Sequence, residues 1–142
     1  MPTRYSHSVR TSASVEAVWE ALQQPDVWAS VAGVDDTSNH RNLNGRLSGF
    51  DFSTSIAGMT YRGSARVSEA VPGRSMTLSI RSNELIGTIQ VAFDDTDEGT
   101  DLDVSMQISP NGLVGAMVFP AVSSALRTGF PESVERLAAS LD

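Results

Sequence analysis

Phe119-Pro120-Ala121-Val122-Ser123-Ser124-Ala125-Leu126-Arg127-Thr128-Gly129-Phe130-Pro131-Glu132-Ser133-Val134-Glu135-Arg136-Leu137-Ala138-Ala139-Ser140-Leu141 carries an apolar residue every 3 or 4 positions. Phe119, Val122, Leu126, Phe130, Val134, Leu137 and Leu141 fall in one stripe, the spacing of an amphipathic helix. Pro120 and Pro131 each remove a backbone donor and clash with the preceding turn, at about 3 kcal/mol. The stripe stays in phase across Pro131, so one kinked helix is expected rather than two.

What precedes this helix tells what it covers. About seventy residues, from Asn39 to Ile108, alternate apolar and polar side chains with no helical period. Leu43 and Leu47 are placed on one face of a weakly patterned strand from Asn39 to Phe50, with Gly49 as a turn or bulge. Phe50, Phe52 and Ile56 share a parity in the next strand. Met59, Tyr61, Gly63, Ala65 and Val67 alternate with Arg62, Ser64 and Arg66. Pro72-Gly73 turns the chain. Met76, Leu78 and Ile80 follow, then Ile89, Val91 and Phe93. The acidic stretch Asp94 to Asp101 reads as a hairpin loop. Leu102, Val104, Met106 and Ile108 form the last strand before Pro110-Asn111-Gly112.

Upstream, Arg4 to Arg10 reads as strand one, with Tyr5, His7 and Val9 on one face. Ser14 is among the N-cap candidates for a short helix carrying Val15, Val18, Trp19 and Leu22. Pro25 opens a second, carrying Trp28 and Val31, and Gly33 closes it. The tally is seven strands with one apolar face each, the pattern of an antiparallel sheet. The expected fold is α+β: a curved seven-stranded antiparallel sheet wrapped around a long C-terminal helix, with two short helices after strand one, as a single domain over residues 1–142.

Composition removes several chemistries. At 142 residues the chain is long enough for a real core. It has no cysteine, so thiolate nucleophiles, thiolate metal sites and disulfides are excluded. It has no lysine either; all ten cations are arginine, which excludes a Schiff-base lysine. The net charge of −7 opposes nucleic acid and anionic membranes. No unbroken apolar run approaches the ~20 residues of a membrane span, so stable membrane insertion is not expected. Met1 to His7 lacks the apolar core of a secretory signal, and a cytoplasmic protein is expected.

No catalytic set stands out. His7, Tyr61 and Gln107 are the only acid–base or polar candidates for an interior site. His7 reads best as a hydrogen-bonded core or rim residue, with no carboxylate placed beside it by the sequence. His40 reads as solvated. Asp94, Asp95, Asp97, Glu98, Asp101 and Asp103 lack calcium-loop spacing and read as a solvated hairpin tip, so no metal and no cofactor are expected. Arg62, Arg66 and Arg81 fall opposite the apolar face and read as surface.

One helix about 10 Å across cannot cover seven strands spaced near 4.8 Å. The sheet must curl round it or leave a space. A ligand cavity is therefore expected, lined by Phe52, Ile56, Tyr61, Leu78, Ile80, Ile89, Val91, Val104 and Met106 from the sheet. Met117 and Phe130 should face them from the helix, with Trp28 near the mouth. The expected occupant is a small apolar molecule, with a protein partner left open.

The order of elements resembles the START-like, or helix-grip, superfamily (SRPBCC, Bet v 1-like). Two stretches are closest to bacterial polyketide cyclase/dehydrase-like proteins and to proteins like an accessory component of carbon monoxide dehydrogenase. One is Ser12-Ala13-Ser14-Val15-Glu16-Ala17-Val18-Trp19-Glu20-Ala21-Leu22 with Pro25-Asp26. The other is Tyr61-Arg62-Gly63-Ser64-Ala65-Arg66-Val67 with Val71-Pro72-Gly73-Arg74. Ser14 stands where the family usually starts that helix with proline. The resemblance implies a cavity between sheet and C-terminal helix for an apolar or amphipathic molecule. It implies no particular reaction, because one fold hosts many functions. Three readings follow: a binding or carrier protein, a cyclase or dehydratase on a polyketide-like substrate, and an accessory protein of a larger complex.

Overall fold

The computed structural model describes residues 3–56 and 58–142. Met1 and Pro2, part of the segment read for a leader, lie outside the described residues. Strand β1 (Thr3–Thr11) is followed by helices α1 (Val15–Ala21) and α2 (Pro25–Ala32). Then come β2 (Asp36–Leu43), β3 (Arg46–Ile56), β4 (Met59–Val71), β5 (Ser75–Ser82), β6 (Leu85–Thr96) and β7 (Gly99–Pro110). Helix α3 (Gly112–Leu141) runs unbroken through Pro120 and Pro131.

All seven strands form one antiparallel sheet in the order β1-β7-β6-β5-β4-β3-β2. The two short helices carry the chain from one edge strand to the other, and a meander returns it to pair with β1. Their ends are set by local chemistry. The Ser14 hydroxyl accepts from the Ala17 N–H at the start of α1, and Pro25 sits in the first turn of α2. Gly33 adopts a left-handed conformation past the end of α2 (φ 73°).

The strand count matches the expectation, but one boundary differs. The first expected polar strand is divided at Asn44-Gly45, both at positive φ (54° and 77°), the two-residue hairpin turn that such a pair favours. Leu43 is consequently exposed and Leu47 buried, so they do not share an environment. Gly49 continues β3 opposite the irregular register of β2 around Arg41.

Val122, Phe130, Val134 and Leu137 of the stripe are buried, with Phe119, Leu126 and Leu141 packed beside them. By length and composition alone α3 is apolar enough to cross a membrane, although it contains no unbroken apolar run of that length. Its stripe is nevertheless laid on the sheet. The Asp142 side chain fastens the C-terminal end of α3, accepting from the Ser12 N–H and Thr11 Oγ1 (both 2.7 Å) and from Ser12 Oγ (3.1 Å). The Ser12 N–H, then the two hydroxyls, hold that carboxyl below the usual aspartate range.

Candidate functional site

The alternation along each strand puts one set of side chains under α3. Register aligns them in rows across the sheet. Met76, Val91, Val104 and His7 form one row; Leu78, Ile89, Met106 and Tyr5 form the next. Ala65, Ile80, Gly87 and Ile108 follow, and Thr54 pairs with Tyr61 farther along β3 and β4. Tyr5, in the second row, still meets the helix through Ser123 (2.6 Å) and Phe130; toward β5, β4 and β3 the helix and the sheet separate.

The separation is an apolar cavity with an interior of about 80 Å³. Counted out through its open mouth, the empty space reaches about 740 Å³. Its floor is made of buried residues: Phe50, Tyr61, Ala65, Leu78, Ile89, Met106 and Ile108 from the sheet, Trp28 and Ala29 from α2, and Val122 from α3. Half-exposed Val34, Phe52, Ile56, Ile80, Leu85 and Leu126 form the rim. Each large side chain has a local reason for its place. The Trp28 indole N–H donates to the Leu22 carbonyl (2.8 Å), which fixes the ring as one wall. A Cβ on Gly63 would come within 2.7 Å of the Phe52 ring and 2.4 Å of the Arg81 carbonyl, so Gly63 lets Phe52 lie across it.

Of the twelve expected lining residues, Trp28, Phe52, Ile56, Tyr61, Leu78, Ile80, Ile89 and Met106 line this space. Val91, Val104 and Phe130 do not: all three are buried in the core. Met117 is 80% exposed, on the outside of α3. It lies two residues, roughly 200° of helix, from Phe119, and so on the opposite face. Trp28 stands in the buried wall rather than at the mouth. Sequence reasoning missed Phe50, Ala65, Ile108, Val122 and Leu126, although strand parity or the helical stripe puts each of them on the right face.

The polar candidates separate in the same way. His7 Nε2 lies 2.8 Å from Glu135 Oε1, on the exposed seam between β1 and α3. A carboxylate therefore does stand beside His7, 128 positions away in sequence, but outside the cavity. Gln107 is exposed on the outer face, paired across strands with Arg4. Only Tyr61 of the three reaches the interior. Arg62, Arg66 and Arg81 are exposed, and Arg81 borders the cavity edge from an outward register position. At the acidic hairpin, Arg10 bonds Asp101 (2.7 Å) and Glu98 (2.8 Å). Among the described residues no three acidic or histidine side chains converge on a point that could hold a metal.

A single curved antiparallel sheet closed over by a long C-terminal helix, with an apolar space between them, defines the helix-grip class. The chain belongs to the polyketide cyclase / dehydrase and lipid transport family, whose model matches residues 2–142. Solved structures share the fold at low identity. The Zhui aromatase/cyclase from Streptomyces sp. R1128 superposes with TM-score 0.71 at 12% identity, over 100% of this chain and 97% of that one. A START superfamily protein from Mycobacterium smegmatis gives 0.71 at 14%, over 98% and 99%. A protein from Chromobacterium violaceum gives 0.67 at 17%, over 97% and 96%. No curated protein matches the chain in sequence.

Proposed function

We propose that this protein binds or carries a small apolar or amphipathic molecule in the cavity between the sheet and α3. The observation that carries the reading is an unfilled interior floored by buried apolar side chains. Native interiors rarely keep such space, because each missing contact costs dispersion energy. Burying methylenes at ~0.8 kcal/mol each brings an aliphatic ligand to micromolar affinity without an ion pair. The family's scope, polyketide cyclase, dehydrase and lipid transport, is compatible with this chemistry.

The cyclase reading needs convergent acid and base groups in the cavity, and Tyr61 alone of the sequence candidates meets it. The accessory-protein reading draws on a different observation, the exposed Leu113, Val114 and Met117 on the outside of α3. Ligand binding therefore stands first.

An environment-sensitive fatty-acid probe tests it. The probe should bind and be displaced by other apolar molecules. Ala65→Leu, adding three carbons into the interior, should abolish binding while the circular dichroism spectrum stays native. Probe binding that is unchanged in Ala65→Leu would remove the cavity as the site.

A further inference from the structure

Tyr61 is 3% exposed, yet its hydroxyl makes no hydrogen bond among the described residues. Among those residues no fully enclosed side-chain oxygen or nitrogen lacks a partner. Tyr61 lines the cavity, so its hydroxyl is the candidate to border that open space. Burying such a group without a partner is costly.

The other polar side chains of the cavity are already engaged. The Trp28 N–H is taken by Leu22. Thr54 Oγ1, opposite Tyr61, donates to the Gly33 carbonyl at 3.4 Å. Ser82 Oγ accepts from the Glu84 and Leu85 N–H groups at 3.2 and 3.0 Å. Arg81, exposed and in the outer register opposite Ser64, is the one cation among the described lining residues and stands at the cavity's edge. An anionic group in this interior would be an uncompensated buried charge, whereas a neutral oxygen would meet a free phenolic donor.

We infer that the ligand is an uncharged apolar molecule with one hydrogen-bonding oxygen, a ketone, ester or alcohol, bound by the Tyr61 hydroxyl. This deepens the proposed function and rests on it. A ligand larger than the interior of about 80 Å³ would extend through the open mouth along the rim.

Three one-ring probes of similar size separate the alternatives: ethylbenzene, acetophenone and benzoate. Acetophenone should bind about threefold to tenfold tighter than ethylbenzene, the net worth of one hydrogen bond. Benzoate should bind more weakly than either. Tyr61→Phe should erase the preference for acetophenone over ethylbenzene. In the unaltered protein, acetophenone but not ethylbenzene should shift the ¹³Cζ resonance of Tyr61, a readout that does not depend on the variant folding. Ethylbenzene binding with no preference for acetophenone, or benzoate binding as tightly, would overturn the assignment of the oxygen alone. Failure of all three probes to bind would overturn the cavity reading and this inference with it.

Discussion

Between Phe130 and Leu141, α3 is fastened to the sheet and the β1–α1 turn; between Gly112 and Leu126 it is held more sparsely, by Ser123 on Tyr5 and Gly115 on the β5–β6 turn, and Val122 and Leu126 border the cavity. In the first stretch Phe130, Ser133, Val134, Leu137 and Ala138 are buried. Tyr5 packs on Phe130 at 6.2 Å between centroids, Glu135 reaches His7, and Asp142 clamps the β1–α1 turn. In the second stretch only Gly115 and Val122 are buried, and Leu113 is 86% exposed. Gly115 lies against the Glu84 carbonyl of the β5–β6 turn. The difference teaches how one helix both holds a fold and leaves a site. The C-terminal turns supply the packing, which frees the N-terminal turns to bridge open space.

The sharpest way to break this contrast is to delete a large side chain from each half. Phe130→Ala should cost about 3–5 kcal/mol, read from urea denaturation, as a truncation in solid core. Met117→Ala should stay within about 0.5 kcal/mol, as an exposed change. Equal losses would mean that both halves are packed alike.

Gly115 is the next lever. A Cβ there would sit 2.2 Å from the Glu84 carbonyl oxygen, closer than real atoms approach. Gly115→Ala should push the N-terminal turns away from the β5–β6 turn, costing about 1–3 kcal/mol in the same assay. Binding of the apolar probe should change with it, while the far half keeps its hydrogen-exchange protection. Loss of protection around Phe130 would show that the halves are not independent.

A smaller effect is expected from acid. The Asp142 carboxyl is held below its ordinary pKa by Ser12 and Thr11. A depressed folded pKa means that the unfolded chain takes up the proton first. The clamp therefore contributes fully above the ordinary aspartate value, near 3.9, and is lost as pH falls through the lower folded value. Asp142→Asn should flatten the acid limb of the stability–pH curve below about pH 4. An acid limb identical in the variant would show that the clamp adds nothing to stability.

How much of this was legible depends on whether the signal is local. The α3 stripe, the helix starts at Ser14 and Pro25, and the inward parity of Tyr61, Leu78, Ile89 and Met106 are short-range patterns, and the fold followed from them. Asn44-Gly45 is equally local, but the polar residues on both sides of it blend into one strand pattern. The limits of the cavity were not legible. Val91 and Ile89 share a parity and lie two residues apart, yet Val91 is core and Ile89 is cavity floor. Parity tells the face of a sheet; which row meets the helix depends on where α3 crosses, and no single strand encodes that. The His7–Glu135 contact likewise exists only once β1 and α3 are side by side.

Open apolar space beside Val122 and Leu126 of α3, against buried packing around Phe130, Val134 and Leu137, is what separates the candidate binding site from the core among the described residues. Xenon enters dry apolar cavities and scatters X-rays strongly, so a crystal pressurised with xenon tests that division directly. A xenon atom is expected among Tyr61, Leu78, Ile89, Met106 and Val122, and none near Phe130 or Val104. An empty map at the first position, or xenon seated beneath Phe130, would contradict it.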